Sequence, residues 1–222
     1  MHLSNPITNE EPIMTKTRIE KLIEDKESRG ETKDIPFLAS LQSWYTRSGQ
    51  LSEKQSAALA KIEYLSSAAG RQEVKDWQSE YLTVHKPRAK ICATYYLSNP
   101  PYFHDLANNI MTNPEFVPTQ RQFEAMCKNK FTNRVWSESQ RTPRFAKGDI
   151  VKVREIQQLP YQLYHFRGKL AIVVENTGEV TTHAIGGRVY KLLPFGHASM
   201  IACQERHIKS FTNKEGKENE HE

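Results

Sequence analysis

The sequence predicts an α+β fold, in which a helical front half is followed by a small closed β-barrel. Apolar residues recur at helical spacing from Pro36 onward, and polar capping motifs separate the successive runs. From Phe145 to Phe211, short apolar and β-branched runs recur about every ten residues, with glycines between them. This second pattern is typical of a barrel or a small sandwich.

Both ends of the chain predict little stable structure. Residues 1–14 are polar, contain two prolines and show no apolar period, so we expect disorder there. Thr15 to Arg29 can form a short charged helix that ends at Gly30, and residues 1–33 are therefore treated as one disordered or marginally helical segment. The acidic segment 212–222 has no apolar residue and is also expected to be disordered.

The helical domain is assigned to residues 34–144 and begins with a helical hairpin. One face of its first helix is apolar and consists of Phe37, Leu38, Leu41, Trp44 and Tyr45. Gly49 is placed to end this helix, and Ser52 with Gln55 forms a capping box that begins the next one. The apolar face of that second helix consists of Ala58, Leu59, Ile62 and Leu65.

A second hairpin of the same design is predicted between Phe103 and Lys128. Its first helix carries an apolar stripe, and Thr119 with Gln122 repeats the capping box. The repeated design indicates either an internal duplication or two generic amphipathic hairpins. The first hairpin resembles helical units of phage-encoded nucleic-acid-processing proteins.

Between the hairpins the pattern is weaker. Gln72 to Leu82 is predicted to be a helix with four residues facing inward, namely Val74, Trp77, Tyr81 and Leu82. The segment 84–90 is predicted to be a basic loop. The apolar run 91–97 is short enough to be either a strand or a turn of buried helix.

Residues 145–211 resemble an SH3-like barrel of the KOW type. A Lys-Gly-Asp turn at 147–149 precedes an apolar strand, and Phe-Arg-Gly-Lys at 166–169 begins a β-branched run. Ala171 stands where this family often has a glycine, and the segment 156–165 is longer than usual. Many barrels of this type bind RNA, ribosomal parts or transcription complexes, and others bind only protein. The resemblance therefore implies the fold and leaves the partner open.

Composition favours a soluble cytoplasmic protein. No apolar run approaches the roughly 20 residues that span a bilayer, and the first residues lack the apolar core of a signal peptide. Cys92, Cys127 and Cys203 are odd in number and far apart, which does not suggest a disulfide framework. We expect these cysteines to be small core residues in a reducing compartment.

The strongest functional signal is a basic junction between the two halves. Residues 128–154 contain eight lysines and arginines against two acidic residues, and aromatic residues are interleaved with them. Such a segment can contact phosphates and stack on bases. Alternatively, Phe131 and Trp136 dock the helical half onto the barrel and the cations form a solvated rim. The predicted nucleic-acid-binding residues are Lys128, Lys130, Arg134, Trp136, Arg141, Arg144, Lys147, Lys152 and Arg154, with Lys169 and Arg188 extending the basic face.

No reaction chemistry emerges from the sequence. Asn99-Pro-Pro-Tyr102 resembles the catalytic loop of adenine amino-methyltransferases, but upstream of it there are only single glycines and no glycine-rich cofactor loop. A double-proline turn whose second proline starts the Phe103 helix is the alternative interpretation. His197, Cys203 and His207 lack a fourth obvious metal ligand, so we expect surface or turn histidines here.

The sequence therefore favours a non-enzymatic, nucleic-acid-associated binding protein without cofactor, metal or small-molecule ligand. Its partner is expected to be DNA, RNA or a nucleic-acid-processing complex. An adaptor that binds only protein is the main alternative, and an adenine amino-methyltransferase is the minor one. Contacts to phosphates weaken steeply with salt, which separates the first hypothesis from the second.

Overall fold

The computed structural model of the protein describes residues 10–211, with side chains from Met14 onward. The disorder predicted for 1–9 and 212–222 lies outside the described residues, whereas residues 10–14 already belong to the first helix and were wrongly expected to be disordered. The residues form two compact units, one ending at Ser79 and the other beginning at Glu80. No helix within 10–211 is long and apolar enough to cross a membrane.

The first unit is helical. It contains α1 (Glu10–Ser28), α2 (Ile35–Ser48), α3 (Glu53–Ser66) and α4 (Ala68–Glu80). Gly49 ends α2 in a left-handed conformation, with φ at 72°, and its N–H donates to the carbonyl of Tyr45. Ser52 and Gln55 form both hydrogen bonds of the capping box at the start of α3. The predicted first hairpin is confirmed.

The core of the first unit covers a narrower stripe of α2 than the sequence suggested. Its buried residues are Ile19, Leu22, Leu38, Leu41 and Leu59. Phe37 and Trp44 are 43% and 48% exposed, although both were expected on the buried face. The extra apolar residues of α2 stay at the surface because α1 is its main neighbour and one helix covers only a narrow stripe of another.

The inward face predicted for residues 72–82 is only partly found. Val74 and Leu82 are 41% and 49% exposed, and Leu65 of α3 is 40% exposed, so all three expectations were wrong. Tyr81 is buried as expected, in the second unit.

The second unit begins with helices. They are a π-helical turn (Tyr81–His85), α5 (Lys86–Leu97), α6 (His104–Thr112), α7 (Gln120–Cys127) and α8 (Lys130–Gln140). The basic loop predicted at 84–90 is wrong, because Pro87 falls in the first turn of α5, where its missing N–H needs no partner. The apolar run 91–97 is helical.

The two helices of the second predicted hairpin are present, as α6 and α7. Thr119 and Gln122 form the capping box at the start of α7. A helix precedes each hairpin and contacts both of its helices: α1 contacts α2 and α3, and α5 contacts α6 and α7. Internal duplication stays a prediction, and this shared arrangement favours it.

A five-stranded antiparallel sheet follows. Its strands are β1 (Ile150–Val153), β2 (Leu170–Val180), β3 (Arg188–Pro194), β4 (Ile201–Gln204) and β5 (Ile208–Ser210), in the order β4-β3-β2-β1-β5. The sheet is open, and the predicted closed barrel is not confirmed, because the edge strands β4 and β5 do not pair. Only three residues separate these edges and can span at most about 14 Å, against about 19 Å across a flat sheet, so the sheet must curve.

The long segment between β1 and β2 covers one side of the sheet. It contains a short 3₁₀ helix, Tyr161–Phe166, whose Leu163 is buried together with Leu159. Both pack against sheet residues including Val151 and Tyr190. The helices α5 and α8 also contact β2.

Gly70, near the start of α4, offers a test of the first unit. Helix propensity alone predicts that Gly70→Ala stabilises the protein by about 1 kcal/mol. A methyl group at this position, however, would meet the backbone of Tyr64 and lie 2.8 Å from the Cα of Leu65. We expect destabilisation of about 1–3 kcal/mol from this overpacking, measured by urea unfolding followed by circular dichroism. A stabilised variant would show that α3 and α4 are not this close.

Candidate nucleic-acid interface

The helix α8, which carries part of the predicted basic junction (residues 128–154), is held by hydrogen bonds at both ends. At its start, the side chain of Asn129 accepts hydrogen bonds from the backbone N–H groups of Phe131 and Thr132. At its end, the Arg188 guanidinium of β3 donates to the carbonyls of Glu138 (2.8 Å), Ser139 (3.2 Å) and Arg141. A cation at a helix C-terminus also interacts favourably with the helix dipole.

Two of the predicted phosphate-binding arginines are structural. Arg188 is 4% exposed, so its guanidinium is not at the surface. Arg141 forms ion pairs with Glu138 and with the buried Glu205, and these hydrogen bonds raise its pKa, the one from Glu205 most. Glu205 also accepts a hydrogen bond from the hydroxyl of buried Tyr190, at 3.1 Å. These contacts join the end of α8 to the sheet, and only the folded chain brings Glu205 to Arg141 and the end of α8 to Arg188.

Four other predicted residues are exposed cations. Lys130 and Arg134 lie one turn apart on α8, and Arg144 and Lys147 lie in the loop before β1. None of the four forms an ion pair with a residue in the described range 14–211. We call these four residues the basic segment.

The basic segment has aromatic neighbours. The Lys130 ammonium lies 5.0 Å from the ring centroid of Phe131, and the Arg144 guanidinium lies 5.3 Å from that of Phe145. Phe131 is 40% exposed, while Phe145 is buried in the sheet core. Phe131 alone of this pair can therefore offer its ring to a partner.

The remaining predicted cations are partly engaged. Lys128 pairs with Glu124 on the surface, and Lys152 pairs with Glu155. Two further contacts occupy side chains of the sheet: Arg154 donates to the carbonyl of Ile208, and Lys169 lies near Phe166 and within 3.3 Å of His197. Because exposed ion pairs contribute little free energy, lysines held only by them can still bind an anion.

The contact found for Trp136 is with another helix, whereas the docking alternative placed this residue between the helices and the barrel. Trp136 is half-buried, with the Arg88 guanidinium of α5 lying 5.6 Å from its ring centroid. Arg88 also donates to the carbonyl of Cys127 and to the side chain of Asn133. Trp136 thus packs α8 against α5, and the structure does not bring it to an open surface with the basic segment.

The sequence did not indicate that residues of the loop between β2 and β3 contact the helices. The loop between β2 and β3 is attached to the helices at two points. The Asn99 amide donates to the carbonyl of Thr181 at 2.8 Å, and the Tyr95 hydroxyl lies 3.3 Å from Nδ1 of His183. The His183 ring also lies 5.1 Å from that of Phe131. This loop therefore lies beside the start of α8.

The motif Asn99-Pro-Pro-Tyr102 forms a turn, but its second proline does not start the next helix, as the alternative interpretation expected. The Asn99 amide also donates to the carbonyl of Tyr95, so this side chain anchors the turn, and α6 begins at His104. The sheet is antiparallel, whereas the methyltransferase loop belongs to a parallel α/β arrangement.

The residues considered as metal ligands form no metal-binding group. In the described part of the chain, no group of three His, Cys, Asp or Glu residues could hold a metal ion. His197 is exposed as expected, but His207 is buried, against expectation. Burial, with a smaller contribution from Arg206, lowers the pKa of His207 to about 4.

All three cysteines are buried and free, as predicted, but two of them are neighbours. The Cys127 thiol hydrogen-bonds to the sulfur of Cys92, which lowers the pKa of Cys92 and raises that of Cys127. A separation of 35 residues gave no sign of this contact.

The hydrogen bonds from Arg188 to the carbonyls of Glu138, Ser139 and Arg141, here called the clamp, can be tested by Arg188→Met. This variant leaves three backbone carbonyls without their donor, and we expect a loss of about 2–4 kcal/mol in the free energy of unfolding. Lys191→Met is the control, because Lys191 lies on the same strand in an exposed pair with Glu175 and should cost less than about 1 kcal/mol. Equal losses in urea titrations of the two variants would contradict the clamp.

His207 predicts an acid-sensitive step in stability. Its folded pKa of about 4 lies below the ordinary value of 6.5, so the unfolded chain binds the extra proton first as the pH falls. Stability is present above pH 6.5 and is lost as the pH falls towards 4. Between about pH 7.5 and about pH 5, His207→Gln should remove about 2 kcal/mol of this loss in urea titrations. An unchanged pH dependence of stability in His207→Gln would contradict the assignment.

Comparison with known proteins adds no family to this description. No protein-family model matches the chain, and neither the curated proteins nor the solved structures contain a match.

Proposed function

We propose that the protein is a non-enzymatic, nucleic-acid-associated binding protein. The observation that carries this proposal is the basic segment: Lys130, Arg134, Arg144 and Lys147 are exposed and form no ion pair among residues 14–211. Cations that are not neutralised by the protein's own acids are available to a polyanion. Phosphates held by them would release condensed counterions, which is the main source of affinity in such complexes.

The way α8 is held supports the same proposal. Arg188 and Arg141 join its carboxyl end to the sheet, and Trp136 packs it against α5. The cations of α8 therefore stand on a fixed backbone, which reduces the ordering entropy that binding must overcome. The buried clamp also separates arginines that stabilise the fold from cations that are free for a partner.

The curved sheet is part of this proposal. Its last strand, β5, returns to pair with β1, and the edges β4 and β5 are joined by a short turn. We propose that this sheet is a partly open relative of the SH3-like barrel and that it supplies Lys152, Arg154 and Lys169 as weaker contacts. The protein acts, on this proposal, at a nucleic acid or a complex that processes one.

A protein-binding adaptor is the second candidate. It is favoured by the exposed aromatic side chains of α2, Phe37 and Trp44, the second of which has the Arg47 guanidinium 6.0 Å from its ring centroid. Aromatic and arginine side chains are enriched at the centres of protein interfaces. An interface of this kind depends much less on salt than phosphate contacts do.

Fluorescence anisotropy of the full chain tests the first candidate. Duplex DNA, single-stranded DNA and RNA are titrated at several salt concentrations, with the wild type beside a variant in which the basic segment is changed to serine. Loss of four phosphate contacts should weaken binding at low salt by at least about tenfold and flatten the plot of log affinity against log salt by up to about four units.

The matched control removes the same charge elsewhere. Its four exposed lysines, changed to serine, are Lys54, Lys61, Lys75 and Lys90. If binding depends only on net charge, both variants lose affinity equally and the proposed site is wrong. If the wild type binds no nucleic acid at the lowest salt, the proposed function is wrong and the adaptor becomes the better candidate.

A further inference from the structure

The turn that contains Asn99-Pro-Pro-Tyr102 is held firmly at both ends. At its start, the Asn99 amide donates to the carbonyls of Tyr95 and Thr181. At its end, Phe103 packs its ring against Tyr96, with the centroids 4.9 Å apart. Phe103 also has a left-handed backbone, with φ at 52°, a conformation that costs a non-glycine residue about 1–3 kcal/mol. The surrounding contacts maintain this strained backbone.

The residue that the turn displays is Tyr102. It is 74% exposed, and its ring makes no aromatic, cation–π or hydrogen-bond contact with any residue that the structure describes. The tyrosine thus contributes little to the core. Backbone strain of this kind clusters at ligand-binding sites, and the anchored turn keeps the Tyr102 ring accessible to a partner.

The same loop of the sheet joins Tyr102 to the basic segment. Thr181 anchors the turn through Asn99, and two residues later the ring of His183 contacts Phe131. Phe131 is followed on α8 by Arg134 and preceded by Lys130, whose ammonium lies near its ring. The turn that carries Tyr102 and the helix start that carries Lys130, Phe131 and Arg134 are therefore both joined, through Asn99 and Phe131, to one short stretch, 181–183.

We propose that Tyr102 and Phe131 stack on unpaired bases of a single-stranded nucleic acid, while Lys130 and Arg134 contact its phosphates. This inference rests on the proposed function and names its substrate class. Base faces are accessible only where a strand is unpaired, because a duplex stacks its bases on one another. A duplex would contact only the cations, and neither ring would stack on its bases.

The test compares single-stranded and duplex probes by fluorescence anisotropy at one low salt concentration. The probes are a labelled oligothymidine of about 12 nucleotides and a duplex of the same length. Tyr102→Ala should weaken binding to the single strand by between about fivefold and about 150-fold, since stacking contributes about 1–3 kcal/mol per base. Binding to the duplex should stay as in the wild type, and Tyr102→Phe should keep single-strand binding because it retains the ring.

Tyr161→Ala is the matched control. Tyr161 is 79% exposed, but it lies on the 3₁₀ helix and contacts Tyr164 instead of the 181–183 loop. It should bind both probes like the wild type. Because Tyr102 is largely exposed, its variants should unfold at the wild-type urea concentration, which separates a binding effect from misfolding.

Photocrosslinking gives an independent readout. An oligonucleotide containing 5-iodouracil, bound to the wild type and irradiated, should attach to the peptides that carry Tyr102 or Phe131, as identified by mass spectrometry.

Three results would overturn the inference. The first is wild-type affinity of Tyr102→Ala for the single strand; the second is an equal loss on the duplex; the third is crosslinking only at other peptides. In each of these cases salt-dependent binding through the basic segment would leave the proposed function intact. If the wild type binds neither probe, the proposed function fails and the inference fails with it.

Discussion

One buried guanidinium connects the helical and the sheet parts of the second unit. Arg188 lies on a strand, yet its hydrogen bonds go to the last carbonyls of α8. The end of a helix leaves carbonyl groups without partners, and burying them without donors is costly. By satisfying them from the sheet, Arg188 closes α8 and fixes its position in one contact. Arg141 and Glu205 extend this contact into an ionic network that Tyr190 completes.

The clamp also determines which charges are left for a partner. Arginines with buried acids or carbonyls beside them stabilise the fold, while the four exposed cations of the basic segment form no ion pair among residues 14–211. A chain with a net charge of +5 therefore displays part of its positive charge beside its most ordered contacts. Lysines and arginines can either stabilise the fold or bind a partner. The net charge of a segment therefore predicts binding only after the residues that stabilise the fold have been set apart.

Local signals in the sequence predicted local structure well. Gly49 and the capping boxes at Ser52 and Thr119 act within one turn of helix, and all three were found where the pattern indicated. The alternation of apolar residues likewise identified β1, although β5, with a single apolar residue in three, gave no period to detect.

Features that depend on distant parts of the chain were not predictable in this way. The loop expected at 84–90 became helix because tertiary contacts favour α5 and Pro87 is compatible with a first turn. The buried role of Arg188 depends on α8, some 50 residues earlier. The attachment of Asn99 to Thr181 spans 82 residues, so the motif could be recognised while its neighbours could not.

The pairing of β5 with β1 has a consequence for how the two units fold. Val151 pairs with Ser210, about 60 residues later, so β1 keeps one unpaired edge until the far end of the sheet arrives. Closing so long a loop must occur before its contacts can compensate for the lost entropy, and this slows folding. The first unit relies on contacts between helices that are close in sequence. The first unit should therefore fold before the sheet does. Until β5 pairs with β1, the unpaired edge of β1 stays exposed, and the chain is then most prone to aggregation.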